Sequence, residues 1–325
     1  MCSDMCSDIA AKSSRLITIV IPVYNEGEAI QHNLPIILTE VEKIDCIEFQ
    51  LLIVDDGSVD NTAAIVKDFC EQNKNIELIS LNRNFGKEAA VHAGLDYSHG
   101  DAVIVMDSDL QHPPNLIQKM VTLWQEGIDV VEACKSTRGK ESLISRGLAE
   151  GFYLLFYYLT KLDIKNKSDF KLLDRVVVDA YCDLPERKRF FRGIVSWMGF
   201  TSAKLFFDVP ERQYGESRWP RLKLLQYSIS SMTSFTSAPL HLVTLLGFAC
   251  FFVGFIIGGV ALYDKFTGNA VSGFTTVILL ILFVGSIIMV SLGQIGIYIE
   301  QIFNEVKNRP AYIINRRKSH LKKGN

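Results

Sequence analysis

The sequence predicts an α/β domain with a mainly parallel sheet, followed by two membrane-spanning helices. Short apolar segments alternate with helical patterns over residues 16–109, and such alternation is typical of a parallel sheet with helices on both faces. Near the C-terminus, residues 239–263 and 274–299 contain no Asp, Glu, Lys or Arg. Each is long enough to cross a bilayer core, which takes about 20 residues, whereas a soluble helix of this length normally has a polar face.

Four segments rich in Val, Ile and Leu are predicted to be strands. The first, "LITIVIPVYNE" at residues 16–26, is β-branched and runs into Pro and Asn. The other three lie within residues 49–62, 75–84 and 101–109, and helices are predicted over residues 27–44 and 86–98.

Acidic residues follow three of these strands directly. They occur in the segments Tyr24-Asn25-Glu26, Asp55-Asp56 and Asp107-Ser108-Asp109. Ligands of such sheets bind beyond the carboxyl ends of the strands. One acidic strand end is usually a solvated turn, but three would bring several carboxylates to the same edge.

Asp107 and Asp109 are one residue apart, so their side chains point the same way if the backbone is extended, and their charges repel. A divalent cation such as Mg²⁺ or Mn²⁺ would remove that repulsion, since both ions take carboxylate oxygens together with substrate phosphates. Gln111 offers a further oxygen. A metal-bound diphosphate implies a nucleotide leaving group. The sequence lacks GxxxxGK[ST] and GxGxxG, which argues against a P-loop NTPase and a dinucleotide site.

Four motifs in order, "IVIPVYNE", "VDDGS", "LNRNFGKEAAVHAGL" and "MDSDLQHPP", resemble the GT-A glycosyltransferases of family 2. More narrowly, the chain is similar to the polyprenyl-phosphate glycosyltransferases, which include dolichol-phosphate mannose synthases and bacterial undecaprenyl-phosphate glucosyltransferases. The resemblance continues through "KSDFKLLDR" and "YGESRW" and covers roughly residues 15–315. It implies a Rossmann-like GT-A domain that transfers a sugar from a nucleotide diphosphate to a polyprenyl phosphate with inversion.

The resemblance also implies roles for individual residues on the donor side. Pro22, Tyr24 and Glu26 match positions that hold the nucleotide base and ribose, Asp55 matches the acid that reads the base, and Asp107, Ser108, Asp109 and Gln111 match the metal and diphosphate site. The expected cofactor is Mg²⁺ or Mn²⁺. UDP-glucose is the expected donor, and GDP-mannose is the alternative. "SDFKLLDR" departs from the "GDFRLLDR"-type pattern of bacterial glucosyl members at Ser168 and Lys171.

On the acceptor side, the resemblance together with the affinity of fixed cations for phosphate makes Lys135, Arg138 and Arg218 the expected contacts of the acceptor phosphate. Lys135 and Arg138 could instead belong to a solvated basic loop, and Arg218 could pair with lipid headgroups. Asp169 matches the position proposed as catalytic base in the family. A phosphate monoester has a second pKa of about 6, so the acceptor needs little deprotonation at neutral pH. Asp169 could instead position the acceptor, stabilise developing positive charge, or form a structural salt bridge with Arg175 or Arg192.

Charge around the two apolar segments predicts the topology. Residues 304–325 carry seven Lys or Arg against one Glu. The positive-inside rule then places the catalytic domain and both termini on the cytoplasmic side of the membrane, which is expected to be a bacterial plasma membrane. The predicted organisation is a disordered N-terminus (1–14), a GT-A domain (15–218), an interfacial helix (219–237), two transmembrane helices (238–300) and a basic tail (301–325).

Other functions fit the sequence less well. A net charge of −2 argues against nucleic-acid binding. A processive polysaccharide synthase is expected to carry Gln-x-x-Arg-Trp and more spans, whereas four residues separate Gln213 from Arg218 here. An inactive membrane scaffold would have no use for clustered carboxylates. Gly254, Gly258 and Gly259 permit close helix contacts, which leaves a homo-oligomer possible.

Overall fold

A computed structural model describes residues 15–136, 157–158, 160, 167–187, 189–208, 238–267 and 273–321. The chain divides into two compact units, one formed by Met1–Arg218 with Pro310–Asn325 and the other by Trp219–Arg309. The predicted disordered N-terminus, the interfacial helix 219–237, Arg138 and Arg218 lie outside the described residues.

The first unit contains a seven-stranded sheet with the order β3-β2-β1-β4-β6-β5-β7. Its strands are β1 (Arg15–Val23), β2 (Ile47–Asp55), β3 (Ile76–Ser80), β4 (Ala102–Val105), β5 (Val130–Lys135), β6 (Lys167–Asp174) and β7 (Ser202–Phe207). All neighbours are parallel except β6, which is antiparallel to both β4 and β5. The predicted mainly parallel sheet is therefore confirmed, with one reversed strand.

Helices cover both faces of the sheet, as predicted. They are α1 (Gly27–Val41), α2 (Thr62–Gln72), α3 (Lys87–Asp96), α4 (Leu116–Gln125), α5 (Arg175–Cys182) and α6 (Phe191–Trp197). Side chains alternate across a strand, so Ile19 and Ile21 of β1 join the core cluster that contains α1, α2 and α4. Val20 lies on the other face against α3, so closely that a Cβ on Gly94 would lie 2.2 Å from Val20 Cγ1.

The C-terminal end of the first unit covers the outer edge of β3. Leu78 and His320 exchange both backbone hydrogen bonds, at 3.0 and 2.8 Å, and the Asn315 N–H donates to the Ser80 carbonyl at 2.7 Å. An open edge strand invites pairing with another chain. Residues 310–321, which the sequence analysis included in a basic tail, thus protect this edge.

The second unit contains two long apolar helices, α7 (Ala238–Phe266) and α8 (Phe274–Val306). Their most apolar windows, Val243–Val260 and Phe283–Val306, have mean hydropathies of 2.4 and 1.6 and are not buried within the protein. By length and composition both helices can cross a membrane, which agrees with the two predicted spans. Helix α8 continues to Val306, beyond residue 300, where the predicted transmembrane region ends.

His92 of α3 packs edge-on against Tyr181 of α5 and Tyr312 of the C-terminal segment, with ring centroids 6.2 and 5.4 Å away. Its Nδ1 is buried and has no hydrogen-bond partner among the described residues. Burial, reinforced by the nearby Arg189 guanidinium, lowers the pKa of His92 to about 4. The imidazole is therefore neutral in the folded protein.

We expect His92 to make the first unit less stable as the pH falls. An unfolded histidine takes up a proton near its ordinary pKa of about 6.5, whereas the folded one stays neutral until about pH 4. The contribution of the neutral His92 to the free energy of unfolding is therefore complete above pH 6.5 and falls as the pH drops toward 4. At pH 5 the loss is on the order of 1–2 kcal/mol. Thermal unfolding of the protein and of His92→Gln at pH 7 and pH 5 measures this. The prediction is wrong if acidification lowers the unfolding temperature of both proteins by the same amount.

Candidate active site

The carboxyl ends of β1, β2 and β4 lie at one edge of the sheet because these strands are parallel neighbours. Glu26 follows β1, Asp55 ends β2, and Asp107 follows β4. Strand β5 is parallel to them, so Lys135 at its end reaches the same edge. Strand β6 runs the opposite way, so it is the beginning of β6, with Asp169, that lies there.

The loops after β1 and β2 are joined to each other. The Asp55 carboxylate accepts a hydrogen bond from the Ser58 N–H at 2.9 Å, and the Ser58 hydroxyl accepts one from the Asn25 N–H at 2.9 Å. Asp55 is 1% exposed and Pro22 is buried, whereas Tyr24 is 39% exposed. Of these candidate nucleotide-binding residues, the Tyr24 ring is thus the most accessible to a ligand.

Glu26 links the loop after β1 to the loop after β4, because its carboxylate accepts a hydrogen bond from the Ser108 hydroxyl. Burial raises the pKa of Glu26, and the negative charges of Asp107 and Asp109 raise it further against the effect of that hydrogen bond. The acids predicted at the ends of β1 and β4 therefore influence one another electrostatically.

The loop that follows β4 is held by His112, which the sequence analysis did not identify. The Asp107 N–H donates to His112 Nδ1 at 3.0 Å, so the ring proton is on Nε2, and the ring stacks on Phe170 at a centroid distance of 5.2 Å. Within this loop the Gln111 N–H donates to the Asp109 carboxylate at 3.1 Å, and Leu110 has φ +56°. A left-handed leucine is strained, so the surrounding contacts impose this conformation.

An ion-pair chain crosses the edge from β4 to α6. Lys87 Nζ lies 2.5 Å from Asp107 Oδ1 and 2.7 Å from Asp169 Oδ2. Arg192 of α6 donates to both Asp169 oxygens, from Nε at 2.5 Å and from Nη2 at 2.9 Å. The salt bridge to Arg192 considered for Asp169 is thus present, while Arg175 donates to the Gly100 carbonyl instead. The sequence analysis gave Lys87 no role. A lysine at the start of a helix is unfavourable for the helix dipole, and this could have indicated that Lys87 has another partner.

The two cations control the protonation of Asp169. Burial opposes its ionisation, but the Arg192 guanidinium and the Lys87 ammonium together hold the pKa of this carboxyl well below its usual range. The same two aspartates, Asp107 and Asp169, raise the pKa of Lys87 despite desolvation. Asp169 is therefore a carboxylate with low affinity for a proton.

Lys135 belongs to the same electrostatic environment. Burial and the nearby Arg192 guanidinium lower its pKa, while Asp107, Asp109 and Asp169 oppose that change. The candidate acceptor residue that the structure describes thus lies close enough to the acids to interact with them.

Asp56 determines where α3, and hence Lys87, begins. Its carboxylate accepts hydrogen bonds from the Phe85 and Gly86 N–H groups at 2.7 and 2.8 Å, and burial raises its pKa. The adjoining turn at Gly57 (φ +70°) packs so tightly that a Cβ there would lie 2.4 Å from the Arg83 carbonyl carbon. The acid pair after β2 is therefore partly structural.

Ser168 and Lys171, where the motif departs from the pattern of glucosyl members, lie inside the sheet. Lys171 is fully buried and is paired with Glu132 of β5, which also accepts from Lys167. The Ser168 hydroxyl donates to the Ala133 carbonyl at 2.6 Å. These two side chains hold β5 against β6.

The fit of a divalent cation can be judged from the donors. Among the described residues no group of three or more His, Cys, Asp or Glu forms a ready-made metal site. Magnesium, however, commonly uses one or two carboxylates together with substrate phosphates and water. Asp107 and Asp109 provide such carboxylates, and Asp107 already holds a cation, the Lys87 ammonium. The residues therefore fit a metal that is bound together with a diphosphate.

The chain belongs to glycosyl transferase family 2, whose model matches residues 18–181. It is therefore a glycosyltransferase, and its sheet with acidic strand ends is the GT-A fold that the sequence predicted.

Curated relatives match nearly the whole chain. An uncharacterized glycosyltransferase of Synechocystis sp. is 36% identical over 92% of this chain and 94% of its own length. The bactoprenol glucosyl transferase of Shigella phage SfII is 37% identical over 94% of this chain and 98% of its own. Among solved structures, glucosyl-3-phosphoglycerate synthase from Mycobacterium tuberculosis, in complex with Mn²⁺, UDP and glucosyl-3-phosphoglycerate, matches at 21% identity and a TM-score of 0.49, covering 70% of this chain and 82% of that one.

We expect Asp56→Ala to destabilise the catalytic domain, because it leaves the Phe85 and Gly86 N–H groups without their acceptor. The expected loss is roughly 1–3 kcal/mol, measured as a lower unfolding temperature. Asp68→Ala, at an exposed position on α2, is the matched control and should unfold like the unchanged protein. Equal unfolding temperatures of the two variants would contradict the structural role of Asp56.

Proposed function

We propose that this protein is a membrane-bound inverting glycosyltransferase that transfers glucose from UDP-glucose to undecaprenyl phosphate, giving a polyprenyl-phosphate monosaccharide. The observation that carries the proposal is the single edge at which Asp107, Asp169 and Lys135 interact. Support for the sugar and the lipid comes from relatives named bactoprenol glucosyl transferase, which are 36–37% identical over 93–94% of this chain.

The nucleotide side is assigned to the loops after β1 and β2. Pro22, Tyr24 and Glu26 are assigned to the base and ribose, and Asp55 to reading the base. Glucose is favoured over mannose by the names of the relatives. A GDP-mannose-dependent mannose synthase on the same site remains the alternative.

Asp107, Asp109 and Gln111 would hold Mg²⁺ or Mn²⁺ with the donor diphosphate. When bound, the metal would neutralise the charge that develops on the leaving UDP. Ser108 keeps Glu26 beside these carboxylates through its hydrogen bond, and His112 fixes the direction of the loop through the Asp107 N–H.

In the transfer step an acceptor phosphate oxygen forms a bond to the anomeric carbon while the bond from that carbon to the UDP oxygen breaks. UDP leaves with the bonding electrons, and attack from the opposite face inverts the configuration. The phosphate is mostly a dianion above its second pKa of about 6, so no proton has to be removed. Asp169, held by Arg192 and Lys87, therefore serves to orient the reactants and to stabilise positive charge on the sugar, rather than as a base.

The acceptor side is assigned to Lys135, together with Arg138 and Arg218. Helices α7 and α8 anchor the enzyme in the membrane, at whose surface the lipid phosphate is found. The excess of basic residues after α8 supports a cytoplasmic catalytic domain and cytoplasmic termini.

The direct test uses purified protein in detergent with undecaprenyl phosphate, Mn²⁺ and labelled UDP-glucose, with labelled GDP-mannose in parallel. We expect label to enter the lipid phase from UDP-glucose and to be lost with EDTA or in Asp109→Ala. Asp68→Ala is the matched acid-to-alanine control and should keep full activity. Labelling from GDP-mannose alone would mean that GDP-mannose, not UDP-glucose, is the donor. A water-soluble polymer product would indicate a processive synthase. Absence of any transfer from several nucleotide sugars would favour a scaffold.

A second prediction concerns the role of Asp169. Asp169→Asn should reduce the transfer rate by about 100-fold, the usual cost of misplaced reactants. The rate should rise through about pH 6 in both proteins, because the acceptor phosphate and not Asp169 titrates there. A profile that changes shape in the variant would instead support a catalytic base.

A further inference from the structure

Lys87 is in an unusual place for a lysine. It is the first residue of α3, and the partial positive charge at a helix N-terminus disfavours cations there. Local preferences are broken most often where another requirement decides the residue. Here the other requirement is visible, because Lys87 Nζ lies between the carboxylates of Asp107 and Asp169, at 2.5 and 2.7 Å.

The two carboxylates differ in how much they depend on Lys87. Asp169 is also held by Arg192, whose Nε and Nη2 each donate to one of its carboxylate oxygens. Besides Lys87, Asp107 interacts with Lys135 and with His112, whose Nε2 lies 4.0 Å from the carboxylate. The Lys87 ammonium, at 2.5 Å, is much nearer to this carboxylate. Lys87 is therefore the main counter-charge of Asp107.

Asp107 is also a proposed metal ligand. A divalent cation on its carboxylate and an ammonium 2.5 Å from the same carboxylate would repel each other strongly. Lys87 has room to withdraw, since its side chain is 39% exposed and keeps Asp169 as a second partner.

We propose that Lys87 is a built-in competitor of the metal: it occupies the cation position on Asp107 in the metal-free enzyme and moves onto Asp169 when the metal binds. This inference rests on the metal-dependent function proposed above. It gives the site a defined metal-free state in which the carboxylates are balanced. It also couples the donor side to the acceptor side, because metal on Asp107 concentrates the Lys87 charge on Asp169.

The test measures Mn²⁺ binding to full-length protein in detergent without nucleotide, by electron paramagnetic resonance of free Mn²⁺. Lys87→Met removes the competing charge and keeps the apolar stem. We expect its dissociation constant for Mn²⁺ to be about tenfold lower than that of the unchanged protein. Lys87→Arg keeps the charge and should stay within about threefold of the unchanged protein.

The matched control is Lys43→Met. Lys43 is exposed and precedes β2, so it lies toward the opposite edge of the sheet, and its loss should leave Mn²⁺ affinity unchanged.

A second readout is thermal unfolding. Mn²⁺ should raise the unfolding temperature of Lys87→Met more than that of the unchanged protein, because the variant lacks its internal counter-charge. If Lys87→Met does not fold, Lys87→Gln takes its place.

Equal Mn²⁺ affinity in the unchanged protein and in Lys87→Met would overturn the competitor role. Weaker binding in Lys87→Met would overturn it as well, since Lys87 would then support the metal. If neither protein binds Mn²⁺, the inference fails, and the lipid-labelling assay with EDTA shows separately whether the proposed function fails too. Labelling that survives EDTA would mean that transfer itself needs no metal.

Discussion

Repulsion among carboxylates at one edge of the sheet is the constraint on which the site depends. Asp107, Asp109 and Asp169 come from the ends of two neighbouring strands and would destabilise one another if left unbalanced. Lys87 and Arg192 supply the balancing charge, and each is positioned by a helix that packs on the sheet. The arrangement is stable as an ion-pair chain, and it places positive charge where a phosphate-bearing substrate is expected.

The reversed direction of β6 makes this arrangement possible. In a fully parallel sheet the beginning of β6 would lie at the opposite edge, away from the carboxyl ends of β1, β2 and β4. Because Ala102 pairs with Asp174 and Val105 with Lys171, Asp169 instead lies just beyond the end of β4. A single antiparallel strand thus brings Asp169 to Asp107 and Asp109.

Several residues near the site act on its shape rather than on a substrate. Asp56 holds the turn that starts α3, and His112 holds the loop that carries Asp107 and Asp109. Beneath them, the buried pair of Lys171 and Glu132 joins β6 to β5. At the far side of the sheet, residues 310–321 close the edge of β3. The segment that follows α8 therefore also completes the domain that carries the site.

The sequence by itself determined the fold class, the strand ends that carry the acids and the two apolar helices. These features are local: apolar periodicity, turn residues and hydrophobic length are read within a window of about 20 residues. Ordered motifs also led to the family, and Arg192 was among the partners considered for Asp169. The pairing of Lys87 with Asp169 was not readable, because these residues are 82 positions apart and meet only through the reversal of β6. The same holds for the contact of residues 310–321 with β3, since long-range contacts depend on strand direction and register, which no local pattern specifies.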